Sequence, residues 1–269
     1  MNIKLIAVDL DGTLLNSQQQ VTPLTKQALQ RAAAAGIKVV PCSGRPFPGV
    51  KGYLDELNLA DKNQYAVTFN GALVFNLSGD IIVRELLHYD DFKYFYDLSQ
   101  KYKMQFHFEL EDRFVTCDHF LNYLMSRESW LTRMPIEISS FDKIDKNLEF
   151  TKGMYSGKPA DIVKYLDQLP QELFERYNVS TSDPTLIEIN SRTASKGNAL
   201  KELGKVLNIK PEEIMIFGDQ KNDLSMFSEP GFHKVAMGNA IDIIKQKADF
   251  VTKTNDQDGI AYALEEMVF

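Results

Sequence analysis

Carboxylate side chains follow two apolar runs of this sequence, where buried strands would end. Asp9 and Asp11 come after the run IKLIAV, and Asp219 and Asp223 come after IMIF and a glycine. Ligands bind at the carboxyl ends of the strands in open α/β sheets, so we expect these four carboxylates to meet at one edge. Two carboxylates roughly 4 to 5 Å apart repel by about 3 to 4 kcal/mol at an effective dielectric of about 20, which a cation or a proton must offset. Oxygen donors with no histidine nearby in sequence suit Mg²⁺ rather than zinc.

Two further motifs have residue types that bind phosphate. Ser43 and Gly44 follow the second predicted strand, where a hydroxyl and free backbone N–H groups can hold phosphate oxygens. Lys196 opens a predicted helix, where its charge opposes the helix dipole, so a bound anion would explain its position. Neither Gly-x-x-x-x-Gly-Lys-Ser/Thr nor Gly-x-Gly-x-x-Gly occurs, so the usual nucleotide-binding loops are absent.

Each motif also has a structural interpretation. The Asp-Gly pair at 11–12 can form a turn, Asp223 can be a helix N-cap, and Lys196 can be a solvated surface side chain. Arg45 fits an anion-steering role and a structural ion pair equally well. The four histidines, among them His107, are scattered, and we assign none of them to catalysis. The functional interpretation therefore depends on the motifs occurring together, in this order, at successive strand ends.

The segments that carry the motifs alternate between strand and helix patterns. Apolar runs of strand length occur at Ile3–Val8, Ile37–Val40, Tyr65–Phe69, Ile214–Phe217, Phe232–Met237 and Ala248–Val251. Thr22 and Pro23 predict the start of a helix that ends at Gly36, and Asn70-Gly71 predicts a two-residue hairpin turn. Strands alternating with helices favour an α/β fold with a doubly wound (Rossmann-like), mostly parallel sheet.

The pattern changes in the middle of the chain. Helical spacing of aromatic residues around Phe92 to Tyr102 is followed by strand-like alternation at Phe106, Phe108 and Leu110. This mixture of helix and strand patterns predicts an inserted α+β domain over residues 85–189, which interrupts a core formed by residues 1–84 and 190–269.

Composition excludes several other classes of protein. The chain has 269 residues and a net charge of −7 with no run of Lys or Arg, so we expect no nucleic-acid partner. Two scattered cysteines favour a reduced protein, and no apolar run is long enough for a signal peptide or a membrane span. We therefore expect a cytoplasmic protein that does not bind membranes.

Taken together, the motifs resemble those of the haloacid dehalogenase (HAD) superfamily of phosphotransferases. The similarity covers Asp-x-Asp-Gly-Thr, the serine after the second strand, the lysine, and Gly-Asp-x-x-Asn-Asp. The insertion between the serine and lysine motifs is similar to a type II cap. KLIAVDLDGTLL, SGRP, NGA and GDQKND resemble the Cof-type branch, and within it the YidA-type sugar phosphatases, over essentially the full chain.

The resemblance implies a role for each motif residue. Asp9 would be the nucleophile and a Mg²⁺ ligand, and Asp11 the general acid/base whose main-chain carbonyl also binds the ion. Asp219 would be the second carboxylate ligand, and Asp223 would support the metal shell. The groups implied to hold the substrate phosphate are Ser43, Gly44, Lys196, Asn222 and the main chain of Leu10. The expected activity is Mg²⁺-dependent hydrolysis of small phosphorylated metabolites, sugar phosphates in particular, with the inserted domain setting specificity.

Three other interpretations remain open from the sequence. One is an inactive relative that serves as an interaction scaffold, although all the predicted catalytic positions are occupied. A phosphomutase or phosphosugar synthase of the same superfamily would use the same chemistry at Asp9, so the motifs cannot separate it from a hydrolase. A receiver-type phosphoacceptor also combines Asp, Ser or Thr, Lys and Mg²⁺ in a doubly wound sheet. Receivers, however, carry the acceptor after a later strand and need no large insertion, which makes this the weaker alternative.

Overall fold

A computed structural model describes residues 2–59, 64–181 and 183–269 of the chain. They form two compact units, Met1–Arg84 with Ser195–Phe269, and Glu85–Ala194. The chain therefore passes from the first unit to the second and back again.

The secondary structure is numbered in chain order. The strands are β1 (Leu5–Asp9), β2 (Lys38–Cys42), β3 (Tyr65–Thr68), β4 (Leu73–Asn76), β5 (Ile81–Arg84), β6 (Leu87–His88), β7 (Gln105–Glu109), β8 (Phe114–Thr116), β9 (Ile136–Ile138), β10 (Glu149–Phe150), β11 (Lys152–Ser156), β12 (Tyr177–Ser180), β13 (Leu186–Ser191), β14 (Ile214–Gly218), β15 (His233–Ala236) and β16 (Phe250–Val251). The helices are α1 (Pro23–Ala34), α2 (Phe47–Glu56), α3 (Tyr89–Tyr102), α4 (Tyr123–Thr132), α5 (Pro159–Gln168), α6 (Gln171–Arg176), α7 (Lys196–Leu207), α8 (Leu224–Ser228), α9 (Asp242–Lys247) and α10 (Gly259–Met267). Within the described ranges, no helix has the length and apolar composition needed to cross a bilayer.

The first unit is built on an eight-stranded sheet in the order β16-β15-β14-β1-β2-β3-β4-β5. Neighbouring strands from β16 to β3 run parallel, and β4 and β5 add an antiparallel edge. All five residues of β1 are buried, as expected for a parallel strand covered on both faces. Apolar residues of α1, α2, α7 and α10 join those of the strands in one core. The prediction of a doubly wound, mostly parallel sheet is confirmed.

Local signals explain the first crossover helix. The hydroxyl of Thr22 accepts a hydrogen bond from the amide of Thr25 at 3.4 Å, and Pro23 occupies the first helical position. After α1 the chain turns at Gly36, whose φ of +87° is a conformation that favours glycine. The helix therefore starts and ends where the sequence predicts, and β2 follows directly beside β1.

The connection between β3 and β4 differs from the predicted two-residue turn. Four residues, 69–72, lie between the last paired residues of the two antiparallel strands. Phe69 and Asn70 adopt φ values of +50° and +55°, and their amides donate to the main-chain oxygens of Arg45 and Ser43 at 3.2 and 3.0 Å. The chain leaves β3 early because these two hydrogen bonds hold the turn against the loop after β2.

The second unit contains a six-stranded sheet in the order β12-β13-β11-β7-β8-β9. Its strands pair antiparallel, apart from β8 and β9, which run parallel and are joined through α4. One face of the sheet packs with α3, α5 and α6 around a core rich in aromatic side chains. This arrangement is α+β. The unit runs to Ala194 rather than to the predicted residue 189, because β13 continues to Ser191 and Asn178 Nδ2 donates to the main-chain oxygen of Ala194 at 3.1 Å.

Candidate active site

The carboxyl ends of β1 and β14 lie side by side at the centre of the first unit's sheet. The two strands are parallel neighbours, with Val8 opposite Phe217. Asp9 is the last residue of β1, and Asp219 directly follows β14. The two acidic strand ends expected from the sequence are therefore adjacent.

Three of the four predicted carboxylates form one buried cluster. An oxygen from each of Asp9, Asp219 and Asp223 lies within 4.8 Å of the other two, and these residues are at most 4% exposed. Lys196 joins them from the first position of α7, and its Nζ donates to Asp9 Oδ1 at 2.5 Å and to Asp223 Oδ1 at 2.7 Å. When all four groups are ionised, three carboxylates and one ammonium leave two excess negative charges.

Asp223 is the structural centre of this cluster. Its Oδ2 accepts hydrogen bonds from the amides of Asp219 and Gln220 at 2.9 and 3.1 Å, while its Oδ1 receives the Lys196 ammonium. A Cβ at position 218 would come within 2.7 Å of Asp223 Oδ2, so glycine is required there. Asp223 immediately precedes α8, but its side chain makes no capping hydrogen bond to that helix. Asp223 thus occupies the N-cap position of α8 without capping that helix, and its side chain instead closes a capping box with Gln220 in the preceding turn.

Asp219 is fixed from the loop that follows β1. Thr13 Oγ1 donates to Asp219 Oδ1 at 2.9 Å. Gly12, with φ +85°, allows this approach, because a Cβ there would lie 2.5 Å from Asp219 Oδ2. Burial raises the pKa of Asp219 to about 6, against the lowering effect of the Thr13 hydrogen bond.

The Lys196 ammonium alone does not neutralise the carboxylates of this cluster. Burial and then the Asp223 carboxylate raise the pKa of Asp9 well above its ordinary value, despite the nearby ammonium. Burial alone would lower the pKa of Lys196, but Asp223 and Asp9 outweigh it and raise that pKa, so this side chain stays charged. One divalent cation would neutralise the two excess negative charges, and a donor set made only of carboxylates suits Mg²⁺. The residues present therefore fit a magnesium ion.

Asp11 does not join the cluster, so three carboxylates meet here rather than four. Its side chain is about half exposed and receives two hydrogen bonds from Arg45, from Nη2 at 2.6 Å and from Nε at 3.1 Å. Arg45 is held in turn by Gln19 Oε1 at 3.2 Å and Tyr53 Oη at 3.3 Å. The sequence left the role of Arg45 open, because nothing in its spacing indicates that it pairs with Asp11.

The predicted phosphate-binding residues are divided between buried and exposed positions. Asp9 lies opposite Cys42 in the sheet, so Ser43 follows β2 right beside it. Ser43 is 2% exposed, and its hydroxyl accepts from the amide of Arg45 at 3.1 Å. Gly44 is half-buried, Leu10 is buried, and Asn222 lies exposed in the turn Lys221–Asp223.

The helix that carries Lys196 is held by close backbone contacts. Ser195 caps α7 by accepting a hydrogen bond from the amide of Asn198 at 3.2 Å. A Cβ at Gly71, which has φ +99°, would come within 2.3 Å of the carbonyl of Ser195. These contacts, together with the close packing of Gly197 against α8, fix the start of α7 and with it the position of Lys196.

Two glycine-to-alanine changes in helices should therefore have opposite effects. In Gly197→Ala the new methyl group would lie 2.4 Å from the main-chain oxygen of Ser225, so we expect a loss of about 1 to 3 kcal/mol in the free energy of unfolding. In Gly52→Ala, within α2, nothing lies within 4 Å, and alanine should stabilise the helix by up to about 1 kcal/mol. Urea unfolding of both variants checks the pair. Equal effects would show that α7 is not tightly held.

Comparison with known proteins identifies the family. A family model described as haloacid dehalogenase-like hydrolase matches residues 6–264. The chain belongs to this family. It is 40% identical over 266 residues to YxeH of Bacillus subtilis, provisionally named a phosphatase, with 98% of both chains covered. It is 31% identical over 271 residues to the 5-amino-6-(5-phospho-D-ribitylamino)uracil phosphatase YcsE of the same organism, covering 100% of this chain and 97% of the relative.

Solved structures of other haloacid dehalogenase-like proteins share the fold. A hydrolase of this family from Bacteroides thetaiotaomicron superposes with a TM-score of 0.85 at 29% identity, covering 98% of this chain and 99% of the other. A sugar phosphatase of subclass IIB superposes with a TM-score of 0.78 at 25% identity, covering 98% of both chains. The predictions of family, fold and phosphatase-type enzyme are confirmed. The substrate and the roles of individual residues stay predictions.

Proposed function

We propose that this protein is a Mg²⁺-dependent phosphatase that hydrolyses small phosphorylated metabolites, sugar phosphates in particular, through a phosphoaspartyl intermediate on Asp9. The observation that carries the proposal is the buried contact of Asp9 with Lys196 inside a cluster with excess negative charge. The names of two relatives support the substrate class, because one acts on sugar phosphates and the other on a phosphorylated ribityl compound.

In the first step, a carboxylate oxygen of Asp9 attacks phosphorus while the bond from phosphorus to the leaving oxygen breaks. The Lys196 ammonium, 2.5 Å from Asp9 Oδ1, stabilises negative charge on the transferred phosphoryl group. The groups proposed to hold the phosphoryl oxygens are Lys196, the hydroxyl of Ser43, the main chains of Leu10 and Gly44, and the side chain of Asn222.

Asp11 would move the protons in both steps. It gives a proton to the leaving oxygen, and then takes one from the water that attacks the phosphoaspartate, which releases phosphate and restores Asp9. A carboxylate that accepts two hydrogen bonds from a guanidinium cannot donate a proton at those oxygens. Asp11 must therefore separate from Arg45 before it can act as the acid.

The residues that would hold Mg²⁺ are Asp9, Asp219 and the main-chain carbonyl of Asp11. Asp223 would support them by fixing the amide of Asp219 and the ammonium of Lys196. When bound, the ion screens the charges of the carboxylate and the phosphoryl group that must approach each other.

We also propose that the second unit selects the leaving group. Every residue assigned above to phosphoryl transfer belongs to the first unit. Phosphoryl transfer alone does not distinguish one phosphate monoester from another, so selectivity requires other residues. The predicted segment 85–189 is large enough to supply them.

A phosphate-release assay with Mg²⁺ and a panel of phosphorylated metabolites tests the proposed activity. We expect release from several sugar phosphates in the absence of any added acceptor. Transfer to an added sugar phosphate with no release would favour a mutase, and no reaction with any phosphomonoester would contradict the proposal.

Magnesium should both activate and stabilise the protein. At a Mg²⁺ concentration about 100-fold above its Kd, the melting temperature should rise by roughly 5 to 10 °C. Asp219→Asn should remove most of this shift, whereas Asp55→Asn, which changes an exposed aspartate on α2, should keep it.

Ca²⁺ should inhibit the phosphatase activity, because its looser coordination shell would let both Asp9 oxygens bind the ion. Full activity after exhaustive chelation would contradict the magnesium requirement.

A further inference from the structure

Two asparagine side chains bind the loop that carries Asp11. Asn239, in the loop after β15, donates from Nδ2 to the main-chain oxygen of Gly12 at 2.8 Å. Asn255, in the turn after β16, donates from Nδ2 to the main-chain oxygen of Leu15 at 2.8 Å. The two are joined to each other, because the amide of Asn255 donates to Asn239 Oδ1 at 3.0 Å. We call these two side chains the asparagine link.

The loop needs such a link at its tip. Asp11 and Gly12 form the tip, and the base is closed by hydrogen bonds from the amides of Leu14 and Leu15, at 3.0 and 2.9 Å, to main-chain oxygens five residues earlier. Gly12 has a φ of +85°, and a glycine can adopt several other conformations, so closing the base does not fix the direction of the tip. A rotation at Gly12 would also turn the peptide that joins it to Asp11. The hydrogen bond from Asn239 to the Gly12 oxygen opposes this rotation.

The loops that carry the asparagine link are themselves held by close backbone contacts. The amide of Met237 donates to the main-chain oxygen of Gly218 at 3.1 Å, and the amide of Gly238 donates to that of Lys253 at 2.9 Å. A Cβ at position 238 would come within 2.8 Å of the amide nitrogen of Thr254. These contacts join the loop after β15 to the end of β14 on one side and to the chain after β16 on the other. The link therefore holds the tip from a fixed support.

An asparagine that only stabilises a turn occurs elsewhere in the same unit. Asn76 ends β4, its Oδ1 accepts from the amide of Asp80 at 2.8 Å, and its Nδ2 donates to Asp80 Oδ2 at 2.8 Å. The turn that it holds carries no residue assigned to phosphoryl transfer. Asn76 and Asn239 thus make similar hydrogen bonds, but only Asn239 binds a residue next to Asp11.

We propose that Asn239 and Asn255 are positioning residues for Asp11, which hold its main chain where the carboxyl group can give a proton to the leaving oxygen. Because the Asp11 side chain must separate from Arg45 before it acts, it needs a fixed main chain from which to reach that oxygen. A displacement of about 1 Å at a reacting group can cost on the order of 10²-fold in rate. This inference rests on the proposed function, in which Asp11 is the acid.

The test compares leaving groups that differ in their need for a proton. The alkoxide of a sugar or polyol is a poor leaving group without protonation, whereas para-nitrophenolate leaves as a stabilised anion. We expect Asn239→Ala to lower kcat/KM for the best sugar or polyol phosphate about tenfold or more, and for para-nitrophenyl phosphate less than about threefold. Asn255→Ala should act in the same direction. Asp11→Asn should show the same dependence on the leaving group with larger losses.

Asn76→Ala is the matched control. It removes two hydrogen bonds of an asparagine that holds a turn in the same unit. Both Asn76→Ala and Asn239→Ala should lower the melting temperature by no more than about 4 °C. Asn76→Ala should keep kcat/KM within about twofold of the wild type for both substrate types.

The outcomes separate this inference from the function on which it depends. Unchanged kinetics in Asn239→Ala and Asn255→Ala, or equal losses on both substrate types, would show that the asparagine link is only structural and overturn the inference alone. Equal losses on both substrate types in Asp11→Asn would overturn the proposed role of Asp11 as the acid. A wild type that hydrolyses no phosphomonoester would overturn the proposed function and this inference together. If Asn239→Ala does not fold, as judged by circular dichroism, Asn255→Ala decides, and if neither folds the link is structural and the inference fails.

Discussion

Asp9→Asn should lose turnover by roughly 10³-fold or more while the protein stays folded. The amide keeps the shape of the side chain but cannot attack phosphorus, and no other group stands in the same place. It also removes one negative charge from a buried cluster with two in excess, so the variant should be at least as stable as the wild type without Mg²⁺. Phosphate release and thermal melting measure the two effects.

A matched control for this substitution is Asp55→Asn, which changes an exposed carboxylate in the same unit. It should keep full activity. If Asp9→Asn retains more than about a tenth of the wild-type rate, Asp9 is not the nucleophile, because the covalent step has no substitute.

Lys196→Met should lose both stability and activity. The side chain is fully buried between Asp9 and Asp223, and removing one partner of such a group leaves its carboxylates unpaired, at a cost of about 3 to 5 kcal/mol. Mg²⁺ should recover part of this stability by replacing the lost charge. Activity should not return, since the proposed stabilisation of the phosphoryl group depends on the ammonium at this position.

Lys205→Met, on the same helix, provides the comparison. Lys205 is 64% exposed and pairs with Glu202 on the surface, so its loss should cost about 0 to 1 kcal/mol with or without Mg²⁺. The measurement is the free energy of unfolding of both variants by denaturant, once in EDTA and once in Mg²⁺. If Lys196→Met is as stable as Lys205→Met in EDTA, the buried cluster does not need this ammonium.

Sequence patterns predict the first unit well because its central strands are buried on both faces and several of its turns have specific residues. Apolar runs followed by polar or charged residues mark the positions of β1, β2 and β14. Because β1 and β14 are parallel neighbours, their carboxyl ends bring Asp9 and Asp219 together. The α1 boundaries follow from Thr22, Pro23 and Gly36 in the same way.

The turn at residues 69–72 shows the limit of such patterns. Asn70-Gly71 predicts a two-residue turn from local propensity alone, but the turn is longer because Phe69 and Asn70 bond to the loop after β2. That loop is distant in sequence, and no local pattern records the contact. Arg45 and Asp11 illustrate the same point, since their pairing depends on two loops brought together by the sheet.

The second unit also contains a buried ion triad of Glu109, Lys152 and Glu188, which could not be predicted from sequence for a different reason. Its three residues come from three different strands. In the sequence, each of them is a charged residue of the kind expected at an exposed position. The antiparallel register of the strands places the three residues together, and burial makes the pairing of their charges necessary. His107 lies on the same strand as Glu109, and both of its ring nitrogens are buried without a hydrogen bond, which its residue type does not indicate.

The division of the first unit into two chain segments affects the order in which the protein can assemble on the ribosome. β1 pairs with β14, and its Leu5 lies opposite Ile214, so this contact must wait until about 200 further residues have been synthesised. All strands of the second unit's sheet are made before β14 emerges, so that unit can complete its pairing first. Until then, one edge of β1 stays open, and such an edge can pair with another chain. An early compact second unit also shortens the free chain that must close between β5 and α7, which lowers the entropic cost of the final step.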